Sequence, residues 1–227
     1  EDFLRSLRFF RFSAMYSDPE VGFDPTALAA IAANLEGLSS LSGERVGSEM
    51  KKLLAAPDPA PALAGMRATG VLLKLLPAAD DRALAPLVHL EVAQGVRADP
   101  IRRLAALTTG QEVIMALRLS KAEARRHAQI GAALGNMQGP AELAYRGGAA
   151  FALDVCLLRA ALFETHFDAT SHTLIARGAA VVCPVKSADL LPFVQGAALG
   201  QALRKCEARW IASDFQLTRA ALLRSAV

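Results

Sequence analysis

Apolar side chains recur every three or four positions along most of the chain, which is the spacing of amphipathic helices. The breaks fall at proline and glycine, and the strict alternation typical of strands is almost absent. The sequence therefore predicts an all-α fold, an irregular multi-helix array without significant sheet. We expect helices over about residues 2–16, 25–38, 45–55, 60–69, 82–95, 99–107, 111–118, 121–134, 140–163, 169–179, 187–193, 197–213 and 216–225.

Local signals support several of these helices. Asp24 followed by Pro25 is a favourable helix start, because aspartate caps free backbone N–H groups and proline suits the first helical position. Ser42-Gly43-Glu44-Arg45 resembles a capping box before the third helix. The densest breaks predict divisions near residues 57, 138 and 185. We expect three segments: 1–57, 58–138 and 139–227.

Composition narrows the class of protein. Ala and Leu carry most of the 53% hydrophobic content, while aromatic residues make up only 6%, which favours helices. The three cysteines are odd in number and widely spaced, and no apolar run reaches the length of a membrane span, so we expect a soluble, cytoplasmic protein with reduced thiols. The chain opens in a helical pattern without an initiator Met, so we expect a fragment of a longer protein.

The first predicted helix has two different sides. At about 100° per residue, one side collects Phe3, Leu4, Leu7, Phe10 and Ala14, and we expect it to pack inward. The other side mixes one acid and one base with serine and aromatic residues, which is unusual for a solvated face. We therefore expect another surface or ligand to cover Asp2, Arg5, Ser6, Phe9, Phe12, Ser13 and Tyr16.

Asp2 and Arg5 lie three residues apart, so their side chains are neighbours on a helix. An ordinary surface or interdomain salt bridge explains such a pair in most proteins. The alternative is that the two groups bind a ligand together, and spacing alone leaves both readings open.

Two motifs resemble those of bacterial CCA-adding enzymes and their poly(A) polymerase relatives. Glu1-Asp2-Phe3-Leu4-Arg5, followed by Leu7-Arg8-Phe9-Phe10-Arg11-Phe12, resembles the family segment Glu-Asp-x-x-Arg … Leu-Arg-x-x-Arg-Phe. Leu41-Ser42-Gly43-Glu44-Arg45-Val46, with Glu49 and Leu53, resembles the next motif. Near the end, Pro184 to Leu191, Gly200, Trp210 and Phe215 resemble the tail segment. The three predicted segments would then be the neck, the body, and the body with the tail.

The resemblance implies a role for each motif residue. Asp2 and Arg5 would recognise the base of the incoming CTP or ATP, and Arg8 would face the triphosphate or the catalytic domain. Glu1 would support the helix, and Arg11 would form a buried ion pair. Phe9 departs from the small residue expected there, and it could stack on a base instead. Bracing of this helix would fall to Glu44, Arg45 and Glu49.

The resemblance also implies a catalytic palm domain with a Gly-Ser … Asp-x-Asp motif that binds Mg²⁺ ions. This sequence contains no such motif and no metal-ligand spacing, and Asp80-Asp81 is expected to cap a helix. We expect the complete protein to add CCA, or A, to the 3′ end of tRNA or another RNA, and this chain alone to be inactive.

Basic residues in the later segments are candidates for RNA binding, because tRNA is held mainly through its phosphates. Solvated helix faces explain the same charges, and the net charge of +3 is too small to decide. The candidates are Arg125, Arg126, Lys186, Arg204, Lys205 and Arg209, with Arg102 and Arg103 as a further cluster. Trp210 is expected in the core. The remaining alternative is a stand-alone helical RNA-binding or scaffold module with no nucleotide site.

Overall fold

The computed structural model describes residues 3–16 and 22–224. Within these ranges it contains fifteen α-helices and one 3-10 helix, and no strand, which confirms the all-α prediction. The helices are α1 (Leu4–Tyr16), α2 (Pro25–Ala32), the 3-10 helix (Leu35–Ser40), α3 (Gly43–Leu54), α4 (Ala60–Ala68), α5 (Val71–Leu75), α6 (Leu84–Ala93), α7 (Pro100–Leu107), α8 (Glu112–Ala116), α9 (Lys121–Leu134), α10 (Pro140–Gly147), α11 (Ala149–Leu162), α12 (Thr170–Ala180), α13 (Ser187–Leu190), α14 (Ala197–Ala212) and α15 (Arg219–Leu223).

Side-chain caps begin several helices where the sequence predicted them. The Asp24 carboxylate accepts from the Thr26 N–H at 2.9 Å, and the Ser42 hydroxyl accepts from the Arg45 N–H at 3.4 Å. Ser120 and Glu123 form a complete capping box at the start of α9. Each cap satisfies backbone N–H groups that have no partner within the helix.

Two predicted helices have the wrong extent, and one observed helix was not predicted. The helix expected over 25–38 ends at Ala32 and is followed by the 3-10 helix. Helix α5 lies between two breaks so close together that the sequence between them shows no helical period. The helix expected over 140–163 is two helices. Gly148 separates them with a φ of 87°, a left-handed conformation that glycine adopts without steric cost.

The chain folds as two compact units. Unit 1 comprises Glu1–Gln138 and Leu153–Ala169, and unit 2 comprises Gly139–Ala152 and Thr170–Val227. Unit 1 thus contains both the predicted neck segment and the predicted body segment. The functional division of the chain into neck, body and tail stays a prediction. Buried side chains of α1, α3, α4, α5, α6 and α7 form the main core of unit 1, and its largest members include Phe10, Met50, Leu53, Leu63, Met66, Leu84 and Leu104.

Unit 2 packs around Trp210, which is buried as predicted. Its ring meets Phe215 edge-on at 5.0 Å and Tyr145 at 5.5 Å between centroids. Helices α10 and α12 approach closely because Gly178 faces the Ala141 carbonyl, and a Cβ at that position would overlap it. In the described part of the chain, no helix is long and apolar enough to cross a membrane.

Candidate functional site

The buried side of α1 agrees with the predicted one. Leu4, Leu7 and Phe10 are buried, and Phe3 and Ala14 pack partly buried against the same core. This packing stabilises the orientation of α1 in unit 1 and leaves the Arg5 side exposed. Arg5 has no hydrogen-bond or ion-pair partner among the described residues. Glu1 and Asp2 lie outside them, so the predicted Asp2–Arg5 pair stays a prediction.

Phe9 does not lie on the uncovered side, contrary to the sequence prediction. Its ring contacts Phe10 and Phe23, with centroids 5.4 and 5.7 Å apart, and it packs against the edge of the core. Phe23, just before α2, covers the ring, a contact that helical periodicity within α1 cannot predict. Stacking of Phe9 on a base is therefore disfavoured.

A buried carboxylate of α3 faces three cations. The Glu49 side chain is 6% exposed, and its oxygens lie 3.0 Å from Arg11 Nη1, 3.8 Å from Arg8 Nε and 3.9 Å from Lys52 Nζ. Arg11 is 14% exposed, which agrees with the buried ion pair expected for it. Glu49 thus joins α3 to α1, and Arg8 remains 44% exposed at the edge of this cluster.

The other two motif residues of α3 lie at its exposed N-terminus. Glu44 is 3.4 Å from Arg118 Nε, in a pair whose side chains are both more than half exposed. Arg45 is also exposed, while its backbone N–H is held by Ser42. Exposed pairs contribute little to stability, so Glu49 is the motif residue most strongly engaged in packing.

Unit 1 contains a buried ionic cluster that the sequence did not predict. Glu91 of α6 lies between two arginines of α7, with Oε1 2.7 Å from Arg102 Nε and Oε2 2.8 Å from Arg103 Nε. All three side chains are at most 4% exposed. Arg102 also donates to Asp154 of α11 at 2.8 Å. These arginines are therefore not solvated, and they do not present a surface to RNA.

Arg103 connects this cluster to the end of α3. Its Nη1 donates to the carbonyls of Leu54 at 2.8 Å and Ala56 at 2.5 Å, and its Nη2 reaches Pro57 O at 3.3 Å. The last carbonyls of a helix lack partners within it, so a buried guanidinium satisfies them. Helices α3, α6 and α7 are thereby joined.

Arg126 of α9 extends the cluster towards the surface. Its guanidinium donates to Asp99 at 2.7 Å and to Asp154 at 2.6 Å. Arg126 is also one of the RNA-binding candidates predicted from the sequence. Burial opposes ionisation of Asp99, but the Arg102 backbone N–H and the Arg126 guanidinium outweigh it and lower the pKa of that carboxyl. Burial likewise opposes ionisation of Arg126, but the carboxylates of Asp154 and Asp99 outweigh this effect and raise the pKa of Arg126.

The remaining basic candidates are exposed. Arg125 lies on α9 in unit 1, and Lys186 precedes α13 in unit 2. Three candidates follow one another on α14, whose acid Glu207 is engaged elsewhere, since it accepts from the Tyr145 hydroxyl at 2.7 Å. Burial, with Glu207, raises the pKa of Tyr145 to about 12. The exposed face of α14 is thus cationic, with Arg204, Lys205 and Arg209.

The adjacent carboxylates before α6 do not cap that helix, contrary to the sequence prediction. The N-cap position is Ala83, whereas Asp80 pairs with Arg82 at 2.6 Å and Asp81 with Arg67 at 3.2 Å. No group of three or more His, Cys, Asp or Glu side chains in residues 3–16 and 22–224 could hold a metal ion. The described residues therefore do not fit the Mg²⁺ ions implied by the resemblance.

Known proteins resemble this chain over short segments in sequence and over nearly the whole chain in fold. A family model described as "Probable RNA and SrmB- binding site of polymerase A" matches residues 22–82. The chain is similar to the mitochondrial CCA tRNA nucleotidyltransferase 1 of Homo sapiens, with 50% identity over 54 residues, which are 24% of this chain and 12% of the human protein. The Mus musculus protein is 48% identical over 54 residues, with the same shares of the two chains.

Solved structures extend the likeness to the whole fold. The CCA-adding enzyme of Bacillus stearothermophilus in complex with CTP matches 99% of this chain and 61% of its own, with a TM-score of 0.66 and 22% identity. The Thermotoga maritima CCA-adding enzyme complexed with tRNA matches 99% of this chain and 60% of its own, with a TM-score of 0.61 and 15% identity. The chain thus spans about three fifths of the solved enzymes, and at these identities the likeness shows the fold.

Proposed function

We propose that this chain is a helical part of a CCA-adding enzyme, because it resembles those enzymes in sequence over a short segment and in fold throughout. In this proposal it selects the incoming nucleotide and binds tRNA for a nucleotidyltransferase whose palm domain is a separate part of the protein. The complete protein would add C and A to the 3′ end of tRNA, with CTP and ATP as substrates. Mg²⁺ and the reacting groups would belong to the palm domain, and this chain alone would be inactive.

The observation that supports base selection is the placement of Arg5. It lies on the exposed side of α1, while the opposite side is held in the core by Leu4, Leu7 and Phe10. The Arg11–Glu49 ion pair joins the same helix to α3. A guanidinium on a helix held at two places is oriented before the nucleotide arrives, which reduces the cost of ordering it on binding.

The chemistry of the proposed pair accounts for selection of C and A. Both bases present an amine donor beside a ring-nitrogen acceptor, whereas U and G present a carbonyl beside an N–H group. A carboxylate only accepts and a guanidinium only donates, so Asp2 would bind the amine and Arg5 the ring nitrogen. With U or G, the Asp2 carboxylate would face a carbonyl and the Arg5 guanidinium would face an N–H group, a mismatch that costs several kcal/mol.

The test uses the complete protein and measures incorporation of each labelled nucleotide into a tRNA that lacks its 3′ end. Asp2→Ala and Arg5→Ala should lower the preference for CTP and ATP over UTP and GTP by about tenfold or more. Arg5→Lys keeps the charge but loses the planar fork, so it should also lose discrimination. Arg82→Ala, an exposed arginine before α6 that lies outside the predicted motifs, serves as the control and should retain it.

The same assay separates three alternatives. Unchanged discrimination in all Asp2 and Arg5 variants, with reduced stability, would leave a helical RNA-binding or scaffold module. Incorporation of ATP alone would indicate a poly(A) polymerase, which the description of the matching family model also favours. Turnover by this chain without a palm domain would refute the proposed inactivity.

A further inference from the structure

Unit 1 contains a cleft at the ends of three helices. Residues 105–110 line it at the end of α7, residues 134 and 135 at the end of α9, and residues 161 and 162 at the end of α11. We call this space the helix-end cleft. Its volume is about 670 Å³, within the range of about 300–1,000 Å³ that is usual for small-molecule sites. The cleft is thus large enough to hold a ligand.

Four residues that line the cleft have carbonyl groups without a hydrogen-bond donor. They are Ala105 and Ala106 of α7 and Ala161 and Leu162 of α11, and no N–H or O–H group in residues 3–16 and 22–224 donates to their carbonyl oxygens. The three alanines are at most 4% exposed. The last carbonyls of a helix need partners from outside the helix, and leaving them buried without a partner is costly. These acceptors therefore fit a donor that enters the cleft.

The cleft has a negative charge. Its lining contains three carboxylates, of Asp80, Glu112 and Glu164, and one guanidinium, of Arg82, so two negative charges remain. Asp80 pairs with Arg82 at 2.6 Å, whereas Glu112 and Glu164 form no ion pair or hydrogen bond within the described part of the chain. The helix ends add partial negative charge from their backbone dipoles, which Arg159 offsets at the end of α9. The cleft is therefore suited to a cation.

The carboxylate of Glu112 lies against the segment that follows α7. A Cβ at Gly110 would overlap this carboxylate, so the absence of a side chain at position 110 is what admits it. Glu112 thereby lies beside the helix end at which the carbonyls of Ala105 and Ala106 lack donors. Backbone and side-chain acceptors are thus grouped at the α7 end of the cleft.

These acceptors determine the chemistry of a fitting ligand. Carbonyl and carboxylate oxygens only accept, and an ammonium group supplies three N–H donors and a positive charge. A metal ion is a poorer fit, because no three His, Cys, Asp or Glu side chains among the described residues are grouped to hold one. Nearly half of the lining residues are alanine or glycine, which leaves room for a slender aliphatic chain. An organic amine with several ammonium groups matches both the charge and the shape.

We propose that the helix-end cleft binds an aliphatic polyamine. One ammonium group would donate to Glu112 and to the carbonyls at the end of α7, and a second would approach Glu164 and the end of α11. The methylene chain between them would lie along the alanines and glycines of the lining. Helix α1 does not line this cleft, so the proposal goes beyond nucleotide selection and does not depend on it.

The test measures binding of spermidine to the 227-residue chain by isothermal titration calorimetry. Glu112→Gln and Glu164→Gln should each weaken binding by about fivefold, because each removes one negative charge from the cleft. Gly135→Leu should weaken binding by a similar factor without any change of charge, because its side chain would narrow the cleft. Gly135 has a φ of −81°, and a Cβ there would make only ordinary van der Waals contacts, so the substitution is compatible with the fold.

The matched control is Glu36→Gln, because it removes the same charge from a side chain of unit 1 that is 91% exposed and lies outside the cleft. It should leave the affinity for spermidine unchanged. Trilysine presents its ammonium groups on a peptide, and it should bind more weakly than the slender polyamine.

Four results would overturn the proposal. The unaltered chain might fail to bind spermidine, or Glu36→Gln might weaken binding as much as Glu112→Gln does, which would indicate a diffuse attraction between charges. Unchanged affinity in Gly135→Leu would place the amine outside the cleft. Tighter binding of trilysine than of spermidine would assign the cleft to lysine side chains of another protein.

Discussion

Arginines of α1 and of α7 occupy opposite environments in the same unit. Arg5 and Arg8 lie on the exposed side of α1, whereas Arg102 and Arg103 are buried against Glu91. The acids that neutralise α7 come from α6 and α11, whereas α1 shares one acid, Glu49 of α3, between Arg11 at 3.0 Å and Arg8 at 3.8 Å. The arginines of these two helices thus differ in burial: those of α7 are interior groups, and Arg5 and Arg8 remain accessible to a ligand.

The pattern of charges along the chain does not distinguish the exposed arginines of α1 from the buried arginines of α7. A buried guanidinium requires both ion pairs and hydrogen bonds to offset its desolvation, and Arg103 obtains them from Glu91 and the end of α3. An exposed guanidinium costs little and contributes little until an anion arrives. Substitutions in the two groups should therefore differ in which measurement they change.

The largest effect is expected from Glu91→Gln. The change keeps the shape but leaves two buried guanidinium groups without their shared carboxylate, which should lower the free energy of unfolding by about 3–5 kcal/mol. Urea denaturation followed by circular dichroism would measure it. Glu36→Gln is the matched control, because Glu36 is 91% exposed in its pair with Lys74 and should cost no more than about 1 kcal/mol. Equal costs would contradict the comparison.

An intermediate effect is expected from Glu49→Ala. Glu49 is buried, but its partners Arg8 and Lys52 are partly exposed and can return to solvent, so only Arg11 is left poorly solvated. We expect a loss of about 1.5–3 kcal/mol, the range for a hydrogen bond to a charged group. A loss as large as that of Glu91→Gln in the same denaturation experiment would show that α1 depends on α3 more than the exposure of its arginines suggests.

The smallest effects come from two neighbours on α9. Arg126→Ala removes two charge-assisted bonds from a half-exposed side chain and should cost about 1–2 kcal/mol, while Arg125→Ala, on the exposed face, should stay within about 0.5 kcal/mol. For the affinity for tRNA we expect the reverse order: Arg125→Ala should weaken binding more than Arg126→Ala does. Equal effects on RNA affinity would argue against the assignment of Arg126 to structure.

Acid sensitivity separates the same two variants. The pKa of Asp99 is lowered in the folded state, so the stability it contributes is present above the ordinary aspartate value, about 3.9, and is lost as the pH falls through the lowered pKa. Arg126→Ala removes one cause of this lowering. Its stability should therefore fall less steeply than that of the unaltered chain below about pH 4, whereas Arg125→Ala should follow the unaltered chain.

Much of the local structure could be predicted from the sequence. Helix starts at Asp24-Pro25 and Ser42 depend on contacts within four residues, and so does the buried side of α1. Two contacts that the sequence did not predict have the same origin in longer-range packing: Phe9 is covered by Phe23, and Arg126 pairs with acids 27 and 28 residues away. Short-range patterns contain no information on such partners.

The sequence by itself determined the all-α class, most helices, the inward side of α1 and the motif resemblance, because these depend on helical period, capping and short spacings. Only the tertiary structure decided which charges are buried. Arg102 and Arg103 become interior groups because folding brings Glu91 and Asp154 to them, from 11 to 52 positions away. A guanidinium leaves water only where such partners offset its desolvation, and the positions of partners are a property of the packed helices.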